Sequence, residues 1–515
     1  MFKGHPKGLV SASLSNMGER FGFYTMMAIL VLFLQAKYNL SVTNAGLIYS
    51  IFYFLLYMLA LVGGIIADKT ANYKGTITAG LVLKVVGAII IAVPTVTPVA
   101  NIPFSLTVIC IGLFLYAFGT GLFKGNLQAL VGQMYDNEKY GKMRDSGFVL
   151  FYAFINVGAV FAPFAAIGVR NWWLGKHNFL YNGILPEYCH SYIEGSINSD
   201  SLIKFQEFAD KASGTAVSNL TAFSTKYLDV FNTGFHYAFG IAVLAMIASL
   251  VVFLINKRTY PDPKNKVKSS ENNYTKEEIK MEAAEIKRRM YALFAVFGVV
   301  IFFWFSFHQN GLTLTYFARD YTDLSVISFK VLGITFEGAE VFQSMNPFFI
   351  IFLTPVIVGL FGWLRTKGIE PSTPKKIAIG MGITALAFVV MMLGSLGLPL
   401  FESISSSEGG IPLADAERVS PMLLLGTYFI LTVAELFISP MGISFVSKVA
   451  PPHLQGLMQG GWLGATAIGN LALVIGAFFY QSISISATWS IFVVVCLISM
   501  TTMIGMIKWL ERVAK

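Results

Sequence analysis

Charge is scarce in this 515-residue chain. Only 13% of its residues are Asp, Glu, Lys or Arg, against roughly 25% in an ordinary soluble domain. A water-soluble enzyme of this length needs a larger charged surface than that. A disordered chain is excluded from the other side, because 55% of the residues are hydrophobic. Cysteine is nearly absent, and 3 residues rule out a disulfide framework. Only Cys189 lies outside an apolar run, and it has no obvious partner. The sequence lacks a Walker-type phosphate loop, an HExxH pair, a CxxC pair and a GxSxG elbow. Nothing therefore points to ATP hydrolysis, covalent catalysis, a catalytic metal or a cofactor, and the chain is not expected to be an enzyme. The formal net charge is +9, but the basic residues are interspersed with apolar segments rather than gathered on a motif, so no nucleic acid partner is expected.

What is abundant is apolar length. Mean hydropathy is +0.65, with 45 Phe and 47 Gly. That pairing suits helices packed in lipid, with aromatic residues facing outward and glycines letting backbones approach. A spanning helix needs about 20 predominantly apolar residues. Twelve such stretches run at 16–36, 44–67, 75–95, 104–134, 145–168, 232–256, 289–318, 337–364, 375–397, 420–449, 454–481 and 487–509. A β-barrel would show shorter alternating segments, which do not occur. The N-terminus leads directly into the first stretch and does not read as a cleavable signal. Lys and Arg are biased toward the connections on the side of the termini, which predicts both termini in the cytoplasm. Residues 169–231 read as a polar, partly helical external excursion. Residues 257–288 read as a charged cytoplasmic linker ending in an amphipathic helix.

That linker separates an N-terminal six-helix unit, 1–256, from a C-terminal one, 289–515. Two six-helix bundles joined in this way are the layout of the major facilitator fold, which carries its substrate site between the halves and exposes it alternately to each side. The expected fold is thus an all-α membrane protein of twelve spans, working as a secondary transporter.

Ionisable groups inside spans cost at least about 2.5–3.5 kcal/mol and default to functional hypotheses. Glu19, Arg20, Lys84, Lys124 and Glu435 are such groups, and His308 joins them as a titratable one. Adjacent helical residues point about 100° apart, so Glu19 and Arg20 are not expected to pair tightly with each other. Arg20 shares a face with Asn16, Phe23 and Tyr24, a stripe suited to line a cavity. Gly119, Gly121 and Gly125 surround Lys124 and are expected to let helices approach and to leave room beside its ammonium. Lys84 is expected to snorkel or to find a carboxylate. Glu435 is the one carboxylate deep in the second half. With Arg20 and Lys124 on the other side, the charge pattern suits a zwitterion, either a short peptide or a single amino acid. His308 either titrates near neutral pH or stays neutral and hydrogen-bonded to a neighbouring helix.

Five segments then resemble one known family. GERFGFY, with Glu19, Arg20, Phe21 and Tyr24, resembles the ExxERFxYY motif of the proton-dependent oligopeptide transporters, a family of the major facilitator superfamily. FYAFINVG from Phe151 resembles its FYxxINxG signature, and GGIIADKTANYKGTI from Gly63 resembles the facilitator motif between spans two and three. QSMNPFFIIFLTPV carries Asn346 and Pro347 as that family's span eight does. The stretch from Tyr428 to Asn470, with Glu435 and Trp462, is similar to its spans ten and eleven. The resemblance implies import of di- and tripeptides coupled to protons, in a bacterial inner membrane. It implies that Arg20 and Lys124 receive a peptide carboxylate and Glu435 the peptide ammonium. It further implies that Tyr24, Tyr57, Asn156, Asn346 and Trp462 line the cavity, that Glu19 belongs to proton coupling and gating, and that Asp68 belongs to a cytoplasmic gate. His308 is an additional candidate for the proton route. Two positions depart from the motif: Asn16 stands at its first glutamate and Phe23 at its first tyrosine. An amide cannot carry a proton through a cycle, so the alternative is a facilitator homologue for another anionic or zwitterionic solute, with altered or absent proton coupling. The linker is too short for two extra spans, so the twelve-span form is expected.

Overall fold

In the computed structural model, residues 4–140, 143–261, 283–406, 409–451 and 454–513 are described. Among them are twelve helices long and apolar enough to cross a membrane: Lys7–Tyr38, Val42–Thr70, Tyr73–Ala92, Ile102–Met134, Gly147–Lys176, Leu220–Ile255, Ala284–Asp320, Ala339–Thr366, Thr373–Gly394, Pro421–Val449, Leu457–Ser482 and Ile485–Val513. They are spans one to twelve below, and each overlaps one of the twelve apolar stretches. Several run further than the apolar window. Span one begins at Lys7 rather than 16, span five ends at Lys176 rather than 168, and span six begins at Leu220 rather than 232. A helix closes its backbone hydrogen bonds within itself, so it continues past the hydrocarbon until a capping residue stops it. Asn219 is such a cap, its side chain accepting from the Ala222 N–H at 3.0 Å. Ser41 caps span two in the same way, accepting from Asn44 at 3.2 Å.

The helices form two six-helix bundles. In the first, span four packs on spans two and three, and span one on spans five and six; in the second, span nine packs on spans ten and twelve, and span seven on eleven and twelve. The bundles meet where span two lies against span eleven and span five against span eight. Pro163, Pro355 and Pro440 lie inside spans five, eight and ten. Span seven is interrupted: its α-helix ends at Phe307, a 3₁₀ turn covers His308–Gly311, and a second helix runs Thr313–Asp320. Irregular backbone at that depth is tolerated where it is enclosed by protein or lines a cavity.

Two features differ from the sequence reading. A small antiparallel hairpin, Phe329–Val331 with Ile334–Phe336, lies between spans seven and eight. Its alternation of aromatic and β-branched residues is too short to register as a strand signal, and Leu332 and Gly333, both at positive φ, make the turn. The excursion expected over 169–231 is also shorter than its sequence reading. Its first part completes span five and its last part begins span six. Between them are two short helices, Leu185–Glu194 and Ser199–Ser213. They cap the end of the molecule opposite the termini. Of the 257–288 linker, residues 262–282 lie outside the described residues.

Candidate substrate site

Span one supplies the centre. Glu19 is fully buried and Arg20 is 6% exposed. The Arg20 Nε donates to Glu19 Oε2 at 2.5 Å and Nη2 to Oε1 at 2.8 Å. Lys84 of span three donates to the same Oε1. The expectation that Glu19 and Arg20 would not pair is overturned. A guanidinium on three methylenes reaches back around the helix, and away from water an unpaired carboxylate is the costlier arrangement. Lys84 has reached a carboxylate rather than snorkelled. It is fully buried, with its ammonium 4.3 Å from the centre of the Tyr116 ring. Glycine makes that reach possible. A Cβ on Gly119 would lie 2.5 Å from the Gly80 carbonyl and 2.7 Å from Lys84 Cγ, so span three can deliver Lys84 only against a bare backbone. Gly121 has the same role toward Leu59 of span two, whereas Gly125 faces open space.

Lys124 differs from both other cations. It is half-exposed and has no carboxylate partner among the described residues. Its ammonium sits 4.3 Å over the Tyr57 ring, a cation–π contact that leaves its donors free. Tyr57 and Tyr53 pack on each other, with ring centroids 5.7 Å apart, and on His308 of the second bundle, at 6.4 and 4.7 Å. His308 stacks on Trp304 at 4.8 Å. Its Nδ1 is 2.5 Å from Asn470 Oδ1 on span eleven, which bonds the imidazole to a neighbouring helix.

Glu435 on span ten is half-exposed and accepts from Asn346 Nδ2 at 2.8 Å. Asn346 also donates to Thr432 at 3.1 Å. No cation reaches Glu435 among the described residues. Tyr24 and Tyr57 are within electrostatic reach of both Arg20 and Glu435, which ties the two bundles to one site. Phe23 is buried under the Arg20 guanidinium at 4.7 Å.

Asn16 lies one turn from Arg20 on span one, whereas Asn156, Trp462 and Asp68 stand apart from this cluster. Asn16 is 6% exposed and its amide nitrogen has no acceptor. Asn156 is half-exposed and donates to its own helix at the Tyr152 carbonyl, 3.3 Å away. Trp462 is 3% exposed and packed flat on Gly442, where a Cβ would come within 1.8 Å of the indole. Its placement is that of an interhelical wedge. Asp68 is exposed at the terminal end, accepting from Tyr73.

Sequence reasoning missed Tyr53, Trp304 and Asn470. The spacing of Tyr49, Tyr53 and Tyr57 by four residues on span two was a usable signal for the first. It also missed the charges at the end opposite the termini, because spans five and seven were drawn too short to include Arg170, Arg319 and Asp320. Arg170 pairs with Glu340 across the bundles, both fully buried. Arg319 donates to Asp320 at 2.6 Å and to Gln35 of span one at 2.7 Å. The cap helices add Asn198 Nδ2 to the Gly409 carbonyl at 2.7 Å, the Ser201 hydroxyl to Gly410 at 3.0 Å, and the Ser405 hydroxyl to Glu187 at 2.5 Å. This end is held together by buried charge and by the cap.

The family model described as the POT family matches residues 74–277 and 264–491. The chain belongs to the POT family. Among its curated relatives is a peptide transporter of Yersinia enterocolitica, 29% identical over 92% of this chain and 87% of that protein. A di-/tripeptide transporter of Lactococcus lactis is 28% identical over 90% and 87%. A crystal structure of a POT peptide transporter in complex with sulfate superposes with a TM-score of 0.72 at 23% identity, covering 100% of this chain and 96% of that one, which supports the major facilitator fold. This POT-family chain is a multi-pass membrane transporter and not an enzyme.

Proposed function

We propose that this transporter imports di- and tripeptides by alternating access. The observation that carries the reading is the pair of half-exposed charges on opposite bundles, unneutralised among the described residues: Lys124 without a carboxylate and Glu435 without a cation. A peptide backbone with free ends neutralises both at once. Lys124, with Arg20 beside it, receives the carboxylate, and Glu435, held by Asn346, receives the ammonium. Tyr24, Tyr57 and Asn156 contact the backbone and side chains between them, and Trp462 stiffens the wall.

The end opposite the termini carries the Arg170–Glu340 pair and the cap, and in this reading it is the closed gate, with access from the end bearing the termini. We place that end in the cytoplasm of a bacterial inner membrane. Units 1–256 and 289–515 rock about the site, with Asp68 at the cytoplasmic gate. In this reading Asn16 stands where the family motif has its first glutamate and Phe23 where it has a tyrosine. The proton route then runs through His308, with Glu19 released for gating when a substrate carboxylate competes for Arg20. A second reading, downhill transport without protons, is favoured by one feature: Glu19 is already held by two cations.

Uptake of labelled dialanine into proteoliposomes tests both. Accumulation above the external concentration under an inward proton gradient supports coupled import. Equilibration without accumulation supports the second reading. No uptake by a folded protein defeats both. Under coupled import, His308→Gln abolishes the pH dependence of uptake, and an unchanged profile removes His308 from the route.

A further inference from the structure

The first bundle holds more positive charge at the site than one peptide carboxylate can neutralise. Among the described residues, Arg20 and Lys84 pair with a single carboxylate, Glu19, and Lys124 pairs with none. Lys124 is within electrostatic reach of all three other groups. The Glu19 triad therefore keeps one positive charge in excess, and Lys124 adds another. A peptide C-terminus at Lys124 offsets one of the two. The remainder is costly in a buried setting, where charges are stable only when paired and hydrogen-bonded.

The donors are left over as well. Arg20 uses Nε and Nη2 on Glu19, and its Nη1 makes no hydrogen bond among the described residues. One turn below on the same face, the Asn16 amide nitrogen is buried without an acceptor. A buried donor left unmade costs more than an ordinary hydrogen bond contributes. The Arg20 and Asn16 donors, on one face of span one, are left to seek an acceptor and suit a second anionic group. On the other bundle Glu435 disfavours an acid at the amino end of the ligand.

We infer that the site selects peptides whose C-terminal residue is itself acidic, the α-carboxylate going to Lys124 and the side-chain carboxylate to Arg20 and Asn16. This rests on the peptide reading above and deepens it.

The test is competition against labelled dialanine uptake into proteoliposomes at neutral pH, with Ala-Gln, Ala-Glu, Glu-Ala and Ala-Lys as competitors. Ala-Glu and Ala-Gln differ in charge but hardly in shape. One extra charge-assisted contact predicts half-inhibition by Ala-Glu at roughly tenfold lower concentration than by Ala-Gln. Glu-Ala should gain nothing, and Ala-Lys should be the weakest. Asn16→Glu should collapse the Ala-Glu to Ala-Gln ratio by supplying the missing negative charge. Lys84→Met, which removes one surplus cation, should shrink it independently. Equal inhibition by Ala-Glu and Ala-Gln overturns the inference while dialanine uptake keeps the peptide reading intact. Equal gains for Glu-Ala and Ala-Glu also overturn it. Absence of any peptide uptake overturns the reading beneath it.

Discussion

Removing the Glu19 charge and removing the Lys84 charge should have opposite consequences, although the two groups touch. Among the described residues Glu19 is the one carboxylate shared by Arg20 and Lys84, and all three are buried. Glu19→Gln leaves two cations facing each other across a neutral amide. Breaking a buried pair by deleting one partner costs about 3–5 kcal/mol, and here both partners are orphaned, so the upper part of that range is expected. Lys84→Met leaves the bidentate Glu19–Arg20 pair neutral overall and replaces the ammonium with an apolar chain of similar length. Such replacements are often neutral or stabilising. The double variant should regain stability relative to Glu19→Gln alone, because only Arg20 is then unpaired. Thermal unfolding in detergent, followed by the fraction remaining monodisperse, gives the ranking. The expected order is Lys84→Met close to the parent, the double variant next, and Glu19→Gln lowest. A Glu19→Gln protein as stable as the parent would refute the reasoning, since it would mean the triad is hydrated and the charges are screened.

Three further outcomes follow from other contacts. Gly442→Ala should push the Trp462 indole off span ten and lower both yield and uptake, because a Cβ there would lie 1.8 Å from the ring; normal uptake would show that spans ten and eleven separate freely. Arg170→Gln should loosen the end opposite the termini by leaving Glu340 buried without its cation, about 3–5 kcal/mol against the closed state; faster labelling of a cysteine introduced at Thr43 by a membrane-impermeant reagent would register it, and unchanged labelling would count against a lock there. His190, on the first cap helix, donates from Nε2 to the Ala36 carbonyl at 2.9 Å. Burial holds its imidazole below the usual 6.5, opposed by that carbonyl and by Glu194 and Glu187. The unfolded chain therefore takes up the proton more readily than the native one. The stability His190 contributes is present above about pH 6.5 and is lost as the pH falls below it. Melting temperature should decline between pH 7.5 and 5, and His190→Gln should flatten that decline; an identical slope in the variant would assign it to other groups.

Span existence was legible in the sequence because it is a local property. Each helix closes its own backbone hydrogen bonds and must be apolar over the thickness of the hydrocarbon, so twelve windows sufficed to find twelve spans. Span ends were less legible, since a polar extension such as Leu220–Phe231 is helical for reasons of capping and packing rather than hydropathy. Which residues deserved scrutiny was also readable, because charge in a span is rare. Lys124 lies over Tyr57, and Asn346 holds Glu435. Trp462 is buried against Gly442 of span ten, and Asp68 lies at the terminal end.

The scarcity of charge thus named the residues that matter without saying how they pair. Pairing depends on which helices approach and how closely. The bare backbones of Gly80 and Gly119 bring span three near enough for Lys84 to reach Glu19. That contact, invisible along the chain, turns an expected solitary arginine into one member of a triad and leaves Lys124 as the open cation. The contacts of Arg170, Glu340, Arg319 and the cap likewise join residues up to 284 positions apart. Electrostatic energy falls with distance in space, and only packing converts separation along a chain into that distance.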